Sequence, residues 1–116
     1  REDLLLILKD SEAVKNCTPD IGKMKLTTYR TIIVSAPGEN YDFVSRVFAP
    51  NCGIDEDPVT GSAHTLLTAY WAERLGVTSL SAYQMSKRGG YLYCTVKGER
   101  VLIEGKAVTT IKGEIL

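Results

Sequence analysis

Gly61-Ser62-Ala63-His64-Thr65-Leu66-Leu67-Thr68-Ala69-Tyr70-Trp71-Ala72-Glu73-Arg74-Leu75-Gly76 is the stretch that decides the fold. Ala63, Leu66, Leu67, Tyr70, Trp71 and Leu75 recur at helical spacing. Ala69 and Ala72 widen the apolar surface almost all the way round. The spacing therefore predicts a helix over 61–75 that lies inside the protein rather than on its face. Gly76 is placed to end it in a left-handed cap.

Upstream of this helix, residues 50–60 read as irregular, and 41–49 and the β-branched run 29–35 as strands. Pro37-Gly38-Glu39-Asn40 is a turn between them. Residues 4–8 read as a buried strand. Residues 11–16 suit a short helical turn with Ser11 as its cap and Glu12 in its first turn. Thr18-Pro19-Asp20 then breaks the chain and opens another short helix. Downstream, strands are predicted over 80–86, 91–96, 101–104 and 107–111. Arg88-Gly89-Gly90, Lys97-Gly98-Glu99 and Glu104-Gly105-Lys106 supply turns or a bulge between them. The sum is an α+β domain, a curved antiparallel sheet wrapped round one central buried helix.

The bulk properties narrow the function classes. A chain of 116 residues is enough for a single domain with a real core, and too short for two. Its 44% hydrophobic content is that of a globular protein and argues against disorder. Its 14 basic and 14 acidic residues cancel, so no basic stripe invites nucleic acid and no basic amphipathic helix invites a membrane surface. No apolar run approaches the ~20 residues of a membrane span. Cys17, Cys52 and Cys94 are odd in number and widely spaced, which speaks against a disulfide framework or a zinc knuckle and for a reducing, cytoplasmic setting. Asn16-Cys17-Thr18 matches a glycosylation acceptor, a match that matters only in a secreted protein. The opening Arg-Glu-Asp is unlike a signal peptide, and with no initiator Met we expect a piece of a longer protein or a processed chain.

The chemistry concentrates just before the helix. Asp55-Glu56-Asp57-Pro58-Val59-Thr60-Gly61-Ser62 places three acids, two hydroxyls and a glycine at its mouth. The first-turn N–H groups of a helix have no partner within it, and the dipole adds partial positive charge there. Gly61 has no side chain to block approach, while Thr60 and Ser62 offer hydroxyls for capping or for a ligand. Such a mouth suits a carboxylate or a developing oxyanion. Pro58 holds Asp57 extended beside it, where its carboxylate can act as a general base or steer the substrate. Ordinary capping explains the same acids and hydroxyls without any ligand. The glycine spacing and the missing Lys exclude a nucleotide-binding P-loop.

Other residues divide less sharply. Arg88 either pairs bidentately with a substrate carboxylate or sits on the surface at a bulge. His64, the one histidine, either lines the site or is a partly buried helix residue, and a helix N-terminus disfavours its cation. Gln84 reads as structural, Tyr70 and Trp71 as core or domain-interface residues, and Cys52 as a bystander.

Taken together, Glu56-Asp57-Pro58-Val59-Thr60-Gly61-Ser62-Ala63-His64, Trp71-Ala72-Glu73-Arg74-Leu75-Gly76, Gln84-Met85-Ser86-Lys87-Arg88-Gly89-Gly90 and Gly105-Lys106-Ala107-Val108 resemble the phenazine-biosynthesis PhzF isomerase family. The likeness covers the chain after Thr28, with residues 1–28 less well matched. It implies a diaminopimelate-epimerase-like fold of two similar domains with the active site in the cleft between them. Residues 1–116 would then correspond to the C-terminal domain. It also implies proton transfer on a small carboxylate-bearing substrate without metal or organic cofactor. Asp57 would be catalytic or substrate-orienting, with Gly61 and Ser62 binding substrate. The family's principal acid/base glutamate and its Gly-His motif belong to the other domain, which is missing here. That domain or a second copy of this chain, as a homodimer, is the expected partner. Pro58-Val59-Thr60-Gly61 contains no Cys, so the two-thiol mechanism of related epimerases is excluded. A non-catalytic ligand-binding or interaction module that keeps the fold is the alternative.

Overall fold

The computed structural model describes residues 2–105 and 113–114. The sheet has seven strands among these residues: β1 (Asp3–Ile7), β2 (Thr31–Pro37), β3 (Phe43–Ala49), β4 (Ile54–Asp57), β5 (Ser79–Gln84), β6 (Gly90–Lys97) and β7 (Arg100–Glu104). Their order is β1-β2-β3-β5-β6-β7, with β4 paired to the far end of β3. The sheet is mixed, not antiparallel as predicted: β1 runs parallel to β2, and β3 parallel to β5. The helices α1 (Ser11–Lys15) and α3 (Gly61–Leu75) lie in the connections β1–β2 and β3–β5, and such crossovers are what allow parallel neighbours. The strand predicted over 107–111 lies outside the described residues.

Helix α3 spans Gly61–Leu75 and ends at Gly76 with φ 67°, both as the sequence predicts. Its burial is one-sided, however. Ala63, His64, Leu67, Thr68 and Trp71 are buried, whereas Leu66 is exposed on the opposite face. The buried face joins Ile33, Phe43, Val47, Ala82 and Leu92 in the main core. Truncating Leu67 to Ala there would cost about 2–5 kcal/mol. The Trp71 indole N–H donates to Ser35 Oγ at 3.0 Å, and that hydroxyl donates to the Val44 carbonyl at 2.6 Å, so the ring enters the core with its polar atom satisfied.

The other sheet face carries Val34, Ala36, Val44 and Phe48, which meet Val14 of helix α1 (Ser11–Lys15). Strands β2 and β3 are thus covered on both sides, which explains their nearly continuous apolar runs. Among the described residues β1 is an edge strand, and its Leu6 and Ile7 are exposed rather than buried as the apolar run suggests. Asp10, not Ser11, caps α1: it is extended, and its carboxylate accepts from Ala13 N–H at 2.9 Å. Helix α2 (Ile21–Lys25) is capped in the same way by Asp20. No helix among the described residues is long and apolar enough to cross a membrane.

Candidate functional site

The segment expected to be irregular holds a 3-10 turn, Pro50–Cys52, followed by strand β4. Gly53 links them at φ 89°, a left-handed conformation that favours glycine. Asn51 anchors the start by donating to the carbonyls of Thr27 and Tyr29, both at 3.0 Å. Pairing of Val47 with Asp57 and of Phe48 with Glu56 sets the register. Adjacent strand residues face opposite sides of the sheet. Glu56 therefore turns to the α1 side and Asp57 to the α3 side.

This alternation sorts the three acids. Asp55 is exposed. Glu56 is taken up by Arg46, which grips it with Nε at 3.1 Å and Nη2 at 2.8 Å. The same guanidinium donates to the Cys17 carbonyl at 2.7 Å and the Val14 carbonyl at 3.2 Å, tying β4 to the end of α1. The ion pair is partly buried and raises the Arg46 pKa, chiefly through the hydrogen bond to Glu56. Asp57 alone turns to the helix mouth, where its Oδ2 accepts the Thr60 hydroxyl at 2.5 Å.

That bond changes the reading of Thr60. Thr60 is the N-cap of α3, yet its side chain makes no cap hydrogen bond. The hydroxyl is engaged with Asp57 and with Gln84, whose Nε2 reaches it at 3.2 Å. The first-turn N–H groups of α3 are left without a side-chain acceptor among the described residues. Gly61 and Ser62 are exposed there, and a Cβ on Gly61 would meet nothing within 4 Å. Packing within the described residues therefore does not demand the glycine.

The sequence marks Gln84 as structural, and the structure shows which turn it supports. Its amide contacts Thr60 and Asp57 at both main-chain ends of the 57–60 turn. The signal was present in the alternation Leu80, Ala82, Gln84, which puts an amide on an apolar face.

His64 is fully buried, not partly. Its Nδ1 lies 2.8 Å from the Thr60 carbonyl, so Nδ1 carries the proton, and the ring stacks on Phe43 at 5.9 Å. Burial pushes its pKa below the usual histidine range. Nε2 finds no partner among the described residues, and neither do the buried hydroxyls of Ser45 and Thr68.

Arg88 is exposed and forms no ion pair with another described residue. It stands between two cavities. One, of about 750 Å3, is walled by Tyr41, Val59, Gly90, Tyr91 and Tyr93; the other, of about 500 Å3, by Glu56, Pro58, Ser86 and Lys87. Ser86 fixes the intervening loop by donating to the Pro58 carbonyl at 2.8 Å and accepting Gly89 N–H at 3.0 Å. Asp57, Thr60, Gly61 and Ser62 are thus gathered at one mouth, with Arg88 on the flank of the same turn. Cys52 is exposed, its thiol facing the Arg30 carbonyl at 3.6 Å, away from the mouth.

Comparison with known proteins adds the family. The profile of the family described as phenazine biosynthesis-like protein matches residues 1–113. A Pseudomonas aeruginosa protein named as an uncharacterized isomerase is 52% identical over 114 residues, covering 98% of this chain and 44% of the relative. Mouse phenazine biosynthesis-like domain-containing protein 2 is 41% identical over 128 residues, again 98% of this chain and 44% of the relative. The crystal structure of a PhzF-family protein from Enterococcus faecalis superposes with a TM-score of 0.90 at 50% identity, covering 98% of this chain and 44% of that one. A Clostridium difficile protein described as a putative phenazine biosynthesis PhzC/PhzF protein gives 0.87 at 44% identity, covering 97% and 44%. The chain spans less than half the length of these relatives. With a family profile matched almost from end to end and close relatives named as isomerases, the chain belongs to the phenazine biosynthesis-like PhzC-PhzF family.

Proposed function

We propose that this chain forms one wall of the active site of a cofactor-independent isomerase with a diaminopimelate-epimerase-like fold. The mouth of α3 holds the carboxylate of a small substrate on the N–H groups around Gly61 and Ser62, with Arg88 and Thr60 at its sides. Asp57 takes or steers the migrating proton. A partner surface, the remaining length found in the relatives or a second copy of this chain, brings the principal acid/base glutamate. Exposed apolar side chains such as Ile54 and Leu66 support a covering partner.

One observation carries the reading: among the described residues the longest helix has no side-chain cap at its N-terminus, and the only acid of the motif turned toward it is Asp57. Charge that develops on a substrate carboxylate as a neighbouring C–H is broken meets unpaired N–H groups there. Asp57, with one oxygen fixed by Thr60, keeps the other for the substrate. General acid–base catalysis of this kind supplies roughly a hundred- to ten-thousandfold in rate.

The test needs no knowledge of the product. The natural full-length protein is incubated in D2O with a panel of small carboxylates carrying an activated C–H, and deuterium uptake is followed by mass spectrometry. Exchange by the wild type that disappears in Asp57→Asn supports proton transfer. Binding of a panel member without exchange would instead favour a binding module.

A further inference from the structure

Gln84 stands where strand β5 passes beneath the motif turn. The inward positions of the strand are Leu80, Ala82 and Gln84, all buried. An amide on that face has lost its water and must find protein partners. All of its hydrogen bonds to described residues go to one turn. Oε1 accepts Thr60 N–H at 2.8 Å, while Nε2 donates to the Asp57 carbonyl at 2.8 Å and to Thr60 Oγ1 at 3.2 Å. The amide cannot be flipped, because Thr60 N–H must face an oxygen and the Asp57 carbonyl must face a donor.

This arrangement orders the Thr60 hydroxyl. Its oxygen receives an N–H from Gln84, so its own proton turns the other way, onto Asp57 Oδ2 at 2.5 Å. The relay runs from strand β5 to the Asp57 carboxylate, and each link has only one direction. Glutamate in place of Gln84 would offer no donors and set a charge against two oxygens. Asparagine would be one methylene short.

We propose that Gln84 is a positioning residue that fixes the side-chain rotamer of Asp57 at the mouth of α3, acting through Thr60 and the main chain of the turn. Its catalytic consequence rests on the proton-transfer reading of Asp57, while the rotamer itself does not.

The experiment uses the natural full-length protein. Three-bond NMR couplings from Asp57 Cγ to its backbone nitrogen and carbonyl carbon report the χ1 populations. The wild type should show one staggered rotamer. Gln84→Met and Thr60→Val should each show averaged couplings at Asp57, with those of the exposed Asp55 unchanged. In the deuterium-uptake assay Gln84→Met should lower kcat about ten- to a hundredfold, with KM within about twofold, as misplacement of a reacting group does. A glutamine that merely stabilises the fold would lower Tm and leave the Asp57 couplings as in the wild type, and that outcome overturns the proposal. Should Gln84→Met not fold, Gln84→Leu, which removes the same three hydrogen bonds, carries the same decision. If even the wild type exchanges no carboxylate, the proton-transfer reading fails, and the couplings still decide for or against Gln84.

Discussion

Helices α1 and α2 begin differently from α3. The two short helices each have an aspartate cap, Asp10 on Ala13 N–H at 2.9 Å and Asp20 on Lys23 N–H at 3.1 Å. The long helix has a threonine in the cap position, yet the hydroxyl is turned away to Asp57. A five-residue helix cannot stand without help at its ends, because nucleation is unfavourable and it gains few internal bonds. The fifteen-residue α3 draws its stability from Leu67 and Trp71 in the core instead. It tolerates an open first turn, and that is the turn beside which the family's motif residues collect.

The largest effect should separate these two kinds of helix start. Asp57→Asn in the natural full-length protein should lower turnover by roughly a hundred- to ten-thousandfold. Its thermal stability should stay within about 1 kcal/mol of the wild type. Asp10→Ala should leave turnover alone. Measured turnover that survives in Asp57→Asn, together with a clear loss of stability, would make Asp57 a mere cap and erase the distinction.

Next in size is a contrast between two glycines. A Cβ on Gly90 would collide with the Val59 side chain, whereas one on Gly61 would enter open space. Overpacking of this kind costs about 1–3 kcal/mol, so Gly90→Ala should be destabilised by that much in urea unfolding. Gly61→Ala should remain within about 1 kcal/mol of the wild type. It should nevertheless weaken binding of sulfate or a small carboxylate, read by titration of the Ser62 and Ala63 amide resonances. Unchanged affinity would mean that the glycine keeps no space for a ligand.

The caps come third. Asp10→Ala and Asp20→Ala should each lower stability by about 1 kcal/mol, the ordinary value of an N-cap, with no effect on anion binding at α3. If either variant altered that binding, the helix starts would not be independent, and the division drawn between them would fail.

What could be read from the residues was what is local. The bounds of α3 and its Gly76 cap follow from an apolar period and one glycine, and both lie within the segment they describe. Asp57, Thr60, Gly61 and Ser62 are nearly contiguous, so their gathering at one helix mouth was legible too. Strand β4 was not, because Ile-Asp-Glu-Asp has little strand preference and is extended by its pairing with β3. The parallel pairs escaped for a related reason: alternation shows which face a residue takes, never which strand lies beside it. The cap of α1 was misplaced by one residue because Asp10 and Ser11 are both good caps and only the backbone distinguishes them. Gln84 shows the limit best. Its inward position was legible, but its partners lie 24 and 27 residues away.

The smallest effect at neutral pH belongs to His64, and it sharpens the comparison from beneath the helix mouth. The imidazole is fully buried, with Nδ1–H given to the Thr60 carbonyl. Burial holds its pKa below the ordinary histidine value of 6.5. The unfolded chain then takes up a proton near that value while the folded chain still refuses it. Stability is therefore fully present above about pH 6.5 and is lost as pH falls toward the folded pKa, with a slope of at most about 1.4 kcal/mol per pH unit for one proton. The capped starts of α1 and α2 have no histidine beneath them, since the chain contains only this one. Urea unfolding at pH 7.0 and 5.5 should show the wild type losing stability over this interval and His64→Gln losing markedly less. Equal losses in the two proteins would mean that His64 takes up its proton in the folded state as readily as in the unfolded one, and the floor of the mouth would then be wetter than its geometry implies.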